Sequence, residues 1–384
     1  MFDTLRACLR TLALLCVTGL SVPGLHAETG VSDTRIVIGQ SAVFSGPARD
    51  FGVDYRAGIQ LYLQRTNKQG GVFGRRIELV SHDDAYEPKR TADNTVTLIE
   101  QDRVFALIGY VATGNLIASL PIAEKAGVPM FAPMVGTTSF RTTHNRYLFH
   151  VRASYESELR KIIGHLATLG IHRIAAVYQD SAFGKSNLDT ALKIAAGLNV
   201  QVVESVPLAI AATDAQPQVA ALNKARPGAV LMIMAGRMVE VFIRDYRATG
   251  AAAPLYTISV GITDAPGSAS RLQGGLQGVV TASIVPPPTL TRYAIVAEYQ
   301  RDRAEFGEKI DSYNALEGYI VARVFVEGLR RAGRDLTRQG FIQAMERIGT
   351  FNIGDFPVTY GPGNHNGSHY VDLEMYLADG RLVR

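Results

Sequence analysis

The stretch Val104–Pro133, VFALIGYVATGNLIASLPIAEKAGVPMFAP, leaves little freedom in how the chain folds locally. Val104–Ile108 is a short apolar run without helical period, the mark of a buried strand. Gly109, Tyr110, Val111, Ala112, Thr113 and Gly114 form a small-residue turn. Leu116, Ile117, Leu120 and Ala123 recur at helical spacing, Pro121 begins a fresh turn, and Gly127 stops the helix. Val128–Ala132 resumes as strand. A strand–helix–strand unit of this length is a parallel crossover. Its loop lies at a strand's carboxyl end and a helix's amino end, where open α/β sheets bind ligands. Thr113 brings a hydroxyl and free backbone N–H groups there, which suits an anion. No catalytic group lies in the loop, so it reads as a binding site without chemistry.

The same alternation runs through the chain. Strands at Arg35–Gln40, Arg76–Ser81 and Arg146–Val151 flank that unit, with helices at about 54–69 and 89–101. It then restarts. Strands fall at Arg173–Tyr178, Val200–Val206, Ala229–Met234, Leu255–Ser259 and Gly278–Val285, with helices between them. Helices at about 292–306, 313–332 and 338–348 and a strand-rich tail from Phe356 follow. Two such arrays in series predict an α/β protein of two doubly wound, Rossmann-like lobes with a cleft between them. Its 384 residues are enough for two cores. A net charge of +4 with dispersed basic residues offers no nucleic-acid groove.

The N-terminus reads as an export leader. Arg6 and Arg10 form a basic region, Leu12–Leu20 an apolar one too short to span a bilayer, and Ser21–Ala27 a cleavage region ending at Ala27. Residues 1–27 are thus a signal peptide, and Cys8 and Cys16 leave with it, so the mature chain has no disulfide or thiol chemistry. Ala13-Leu14-Leu15 before Cys16 is a poor lipoprotein signal, which favours a soluble periplasmic protein. No later apolar run is long enough to cross a membrane.

Metal and cofactor motifs are weak. His82-Asp83-Asp84 lie on one strand end and point in alternating directions, whereas a metal needs converging ligands. His365 and His369 are four apart in a turn-rich segment, not on a helix, so they are no zinc pair. Gly70-Gly71…Gly74 follows a helix and precedes a strand, the reverse of a dinucleotide fingerprint. No G-x-S-x-G elbow, P-loop or H-E-x-x-H occurs. No cofactor, no metal and no enzymatic activity are expected.

An ordered series of short motifs spans the chain. Ile38-Gly39, Ser45-Gly46-Pro47-Ala48, Gly52 and Gly58 open it. Asn67…Gly70-Gly71-Val72-Phe73-Gly74-Arg75-Arg76-Ile77 follows, then Asp83-Asp84, Pro88, Ala92, Leu98-Ile99 and Gly109. Pro121-Ile122-Ala123, Ala126-Gly127-Val128-Pro129 and Pro133 come next. Phe149, Arg152, Ala176-Val177 and Phe183-Gly184-Lys185 carry it onward. In this series, residues 33–384 resemble the type I periplasmic substrate-binding proteins of ABC transporters, in the leucine/isoleucine/valine-binding branch.

The resemblance implies a three-strand hinge, crossed near Val151, Ser283 and Phe351. Lobe I would be 33–150 plus 285–350, and lobe II 151–284 plus 351–384. It also implies a site. Thr113, with Tyr110 and Ala112 in its loop, and Val135, Gly136 and Thr137 after the next strand would hold a carboxylate. Ser45 would stand at the rim. Phe183, Gly236 and Arg237 would close from lobe II, while Arg152 braces the hinge. At the family's ammonium-gripping acidic position this chain has Val260. An unpaired buried ammonium costs several kcal/mol, so the expected ligand is an aromatic or aliphatic acid rather than a branched-chain amino acid. Thr113 and Thr137 also fit as helix caps, Tyr110 and Phe183 as core aromatics, and Arg237 as a solvated charge. The expected role is the periplasmic solute-binding component of an ABC importer, with the membrane permease as partner and hinge closure as the capture step. A ligand-sensing receptor subunit of the same fold, and then an exported α/β enzyme, are the alternatives.

Overall fold

Each of the two strand–helix arrays closes into its own sheet. The structure, a computed structural model, describes residues 28–263 and 265–384; the expected leader lies outside them. The first array runs β1 (Arg35–Ala42), α1 (Arg49–Lys68), β2 (Arg76–Asp83), α2 (Pro88–Glu100), β3 (Ala106–Ile108), α3 (Thr113–Lys125), β4 (Met130–Phe131), α4 (Ser139–Thr142) and β5 (Leu148–Phe149). Its strands are all parallel, in the order β2-β1-β3-β4-β5. The second array runs α5 (Tyr155–Thr168), β6 (Arg173–Gln179), α6 (Ala182–Gly197), β7 (Gln201–Leu208), α7 (Gln216–Lys224), β8 (Ala229–Ile233), α8 (Arg237–Ala248), β9 (Leu255–Thr257), α9 (Ala265–Arg271) and β10 (Val280–Ser283). The chain ends with α10 (Ala294–Phe306), α11 (Tyr313–Ala332), α12 (Arg338–Glu346), β11 (Gly349–Asn352), β12 (Pro357–Gly361), β13 (Asn364–Gly367), β14 (Asp372–Tyr376) and β15 (Leu382–Val383). The second sheet is ordered β15-β14-β10-β9-β8-β6-β7, parallel except for the β14 and β15 edge. Together the sheets give the two-lobed α/β fold.

The inner strands β3 and β8 are buried at every position, as strands covered by helices on both faces must be. Helix starts follow local chemistry. Ser154, Ser181, Ser312 and Thr337 each accept a backbone N–H three residues on and so cap α5, α6, α11 and α12. α10 stops at Gly307, in the left-handed conformation. α11 returns to the first lobe because two glycines let it touch α1. A Cβ at Gly58 would lie 1.8 Å from the Ala315 carbonyl oxygen, and one at Gly318 2.1 Å from that of Tyr55.

The chain passes between the sheets three times, at residues 150–154, 284–293 and 368–371. The third passage corrects the expected one near Phe351. β11, β12 and β13 form a separate antiparallel sheet before it. That sheet is held to the first lobe, where the His150 N–H donates to the His365 carbonyl (2.8 Å) and the Tyr360 hydroxyl donates to that of His150 (2.7 Å). Only β14 and β15 of the tail join the second sheet. The short helices α4 and α9 were not legible in the apolar periodicity. Among the described residues no helix is long and apolar enough to cross a membrane.

Candidate functional site

Both sheets reverse their strand order beside the first strand, β2-β1-β3 in one and β7-β6-β8 in the other. Ligands of open α/β sheets bind at that reversal, beyond the strands' carboxyl ends. There the two lobes enclose a cavity of about 20 Å³. Lobe I contributes Phe51, Tyr86, Val111, Ala112, Thr113 and Met134; Tyr155, Phe183, Ala235 and Val260 come from lobe II. That space suits roughly one water and is too small for an organic ligand.

The Thr113 corner is built by an unusual backbone. Ala112 has φ +81° and ψ 139°, where L-residues rarely sit, at a cost on the order of 1–3 kcal/mol. It turns the chain so that Thr113 begins α3, whose first N–H groups have no side-chain cap. The Thr113 hydroxyl lies 2.8 Å from that of Thr137, and both residues are buried. Gly136 supports this corner from behind. A Cβ there would lie 2.8 Å from the Tyr155 ring, and its carbonyl accepts the Tyr155 N–H at 2.7 Å. Tyr155 meets Phe183 edge-on, with centroids 5.3 Å apart. Burial pushes the Tyr155 phenol up to about 12 and raises that of Tyr86 further, so both rings keep neutral hydroxyls at neutral pH. Among the described residues no carboxylate lines the cavity.

Several expected contacts are placed elsewhere. Tyr110 points away from the cleft into the core beside Leu98 and Leu107, and its hydroxyl lies 3.0 Å from that of Thr95. Val135 lies in the same cluster. Its side chain is buried there, its N–H donates to the Pro133 carbonyl and its own carbonyl accepts from Arg141. Ser45 is exposed and donates to Asp83 (2.6 Å), which ties the β1 loop to β2. Gly236, at φ +70°, starts α8 and donates to the Val260 and Gly261 carbonyls. Arg237 is exposed and faces Gly46, Pro47 and Asp50 across an opening of about 330 Å³ at the cleft mouth. Phe51, Tyr86, Val111, Met134 and Tyr155 were missed. Tyr86 and Val111 follow strands in the loops at the sheet reversal, and Phe51 lies in the first turn of α1 just past the β1 loop, a signal the sequence did carry.

The hinge holds a buried charge cluster. Arg152 donates to the Ser259 hydroxyl (2.8 Å) and lies 3.6 Å from Glu317 on α11. The Glu158 carboxylate accepts both the N–H and the hydroxyl of Ser259, at 2.7 and 3.0 Å. Arg152 therefore links both lobes through the first passage. A cavity of about 410 Å³ lies beside it, between Ile284, Tyr313 and Leu382. It is the larger space, but none of its lining residues comes from the loops at either sheet reversal.

The metal reading of residues 82–84 dissolves into separate bonds. His82 pairs with Asp102 at 2.8 Å, Asp83 holds the Phe44 and Ala85 N–H groups, and Asp84 accepts from Ser41 and Tyr86.

Comparison with known proteins agrees with this architecture. A family model described as periplasmic binding protein matches residues 35–380. The chain is similar to a Leu/Ile/Val-binding protein homolog 7 from Brucella abortus (strain 2308), 24% identical over 95% of this chain and 94% of that protein. A substrate-binding periplasmic protein from Ralstonia solanacearum superposes with a TM-score of 0.83 at 28% identity, covering 90% of this chain and 99% of its own. A solute-binding protein of an ABC transporter from R. palustris, solved in complex with benzoate, shares the fold. Its TM-score is 0.80 at 20% identity, over 91% of this chain and 95% of its own.

Proposed function

Because this chain belongs to the periplasmic binding protein family, we propose that it captures a small carboxylic acid with an aromatic or aliphatic body and delivers it to an ABC permease. The cavity wall carries this reading. One end offers the Thr113–Thr137 hydroxyl pair and the uncapped start of α3, which suit a carboxylate. Four aromatic rings, Phe51, Tyr86, Tyr155 and Phe183, surround the body. Opposite stand Val260 and Ala235, with no anionic partner for an ammonium. Burying an amino acid's ammonium there unpaired costs several kcal/mol. The fold itself accommodates such acids, since a relative of the same fold holds benzoate. The lobes open about the passages at 150–154, 284–293 and 368–371, the acid docks on lobe I, and closure brings Phe183 and Val260 over it.

Isothermal titration calorimetry with benzoate, 4-hydroxybenzoate, hexanoate, leucine and valine tests this. At least one acid is expected to bind about 100-fold or more tighter than either amino acid. Tight leucine or valine binding with the acids inert overturns the ligand class. Thr113→Val removes a hydrogen bond to a charged group and is expected to weaken the acid about tenfold or more. Unchanged affinity in that variant places the pocket elsewhere.

A further inference from the structure

Three residues distant in sequence converge on lobe I, away from the cleft. His144 lies in the loop after α4, Glu346 ends α12, and His365 is on β13. One ligand atom of each lies within 4.8 Å of the other two. His365 is the informative member. It is 5% exposed, and its ring stacks on Phe149 with centroids 3.8 Å apart. Its Nδ1 lies 3.1 Å from the carbonyl oxygens of both Asn145 and Leu148. Two acceptors at Nδ1 place the proton there and leave a lone pair on Nε2. That buried lone pair has no hydrogen-bond partner and faces Glu346 Oε1 at 3.4 Å. A bare imidazole nitrogen and a carboxylate oxygen are both acceptors, and a cation between them would satisfy the two at once.

We propose that His144, Glu346 and His365 form a site for one divalent transition-metal ion, with zinc the best match. Bonds of about 2.0–2.2 Å in a tetrahedron put ligand atoms about 3.4 Å apart, the spacing that His365 and Glu346 already have. His144 is exposed, its ring edge-on to that of His365 at 4.5 Å, and a side-chain rotation completes the set. Water takes the fourth position. Two imidazoles and one carboxylate favour zinc over calcium or magnesium. An Nδ1–H held by backbone carbonyls is the usual support of a metal-bound histidine. The ion would tie α12 to the small sheet just before β13 enters the passage at 368–371, fixing the lobe I end of that passage. Sequence spacing could not show this, because the three residues come from three separate segments.

The test uses the purified protein without a histidine tag, stripped with chelator and titrated with zinc chloride by calorimetry. One zinc per chain is expected, with a rise of at least about 2 °C in the unfolding midpoint at saturation. His144→Ala and Glu346→Gln, neither at a fully buried position, are each expected to keep the circular dichroism spectrum and to weaken zinc about tenfold or more. His172→Ala, in the other lobe, should leave binding unchanged. Absence of zinc binding, or binding that neither His144→Ala nor Glu346→Gln weakens, overturns the proposal.

Discussion

At Val260 the lobe II wall of the cleft carries an isopropyl group beside Ala235, and its carbonyl accepts the Gly236 N–H at 3.2 Å. An acid at this position would face the ligand's end opposite Thr113. Val260→Asp is therefore expected to create leucine binding and to weaken carboxylic acids about tenfold or more, since the new carboxylate repels theirs. Calorimetry with both ligand classes checks it, and an unaltered preference would mean that residue 260 does not face the ligand. Thr113 was legible in the sequence because a glycine-bounded turn between an apolar strand and a helix has a known place in an open sheet. The opposite orientation of Tyr110 was not. Which residues of that turn face the cleft depends on the positive φ at Ala112, and nothing in the side chain of alanine announces it.

The α1–α11 crossing shows what an element contributes beyond its own periodicity. Both helices are readable from spacing, yet their contact rests on two missing side chains, at Gly58 and Gly318. Gly318→Ala would drive a methyl group into the Tyr55 carbonyl, 2.1 Å away, and is expected to destabilise by about 1–3 kcal/mol or more. Urea denaturation measures this, and a change under about 0.5 kcal/mol would show that the helices separate without cost. The small β11–β13 sheet was legible as strands but not as part of lobe I. Its attachment comes from the His150–His365 and Tyr360–His150 hydrogen bonds, between segments some 210 residues apart in the chain.

Across the whole molecule the lobes are coupled through Arg152, Glu158, Ser259 and Glu317. Burial pushes the Glu158 carboxyl up to about 7 against an ordinary 4.5, even though Arg152 and the Ser259 donors pull it down. The folded protein therefore binds this proton more tightly than the unfolded chain does. Its contribution to stability is complete below about pH 4.5 and is lost as the pH rises to about 7. Glu158→Gln stays neutral throughout. The wild type should lose about 3 kcal/mol relative to the variant across that window, as read from urea denaturation at pH 4.5 to 7.5. Parallel profiles for the two chains would refute it. The comparison within one pH series cancels His150, whose burial as a neutral ring acts on both chains alike. Sequence alone determined the two-lobed α/β architecture and the strand-end loops that line the cleft, because apolar period and turn chemistry are local properties of the chain. Tertiary structure decided which side chains of those loops face the cavity, where the tail changes lobes, and that His144, Glu346 and His365 meet. Those outcomes depend on backbone turns and packing between distant segments, and local patterns do not encode such contacts.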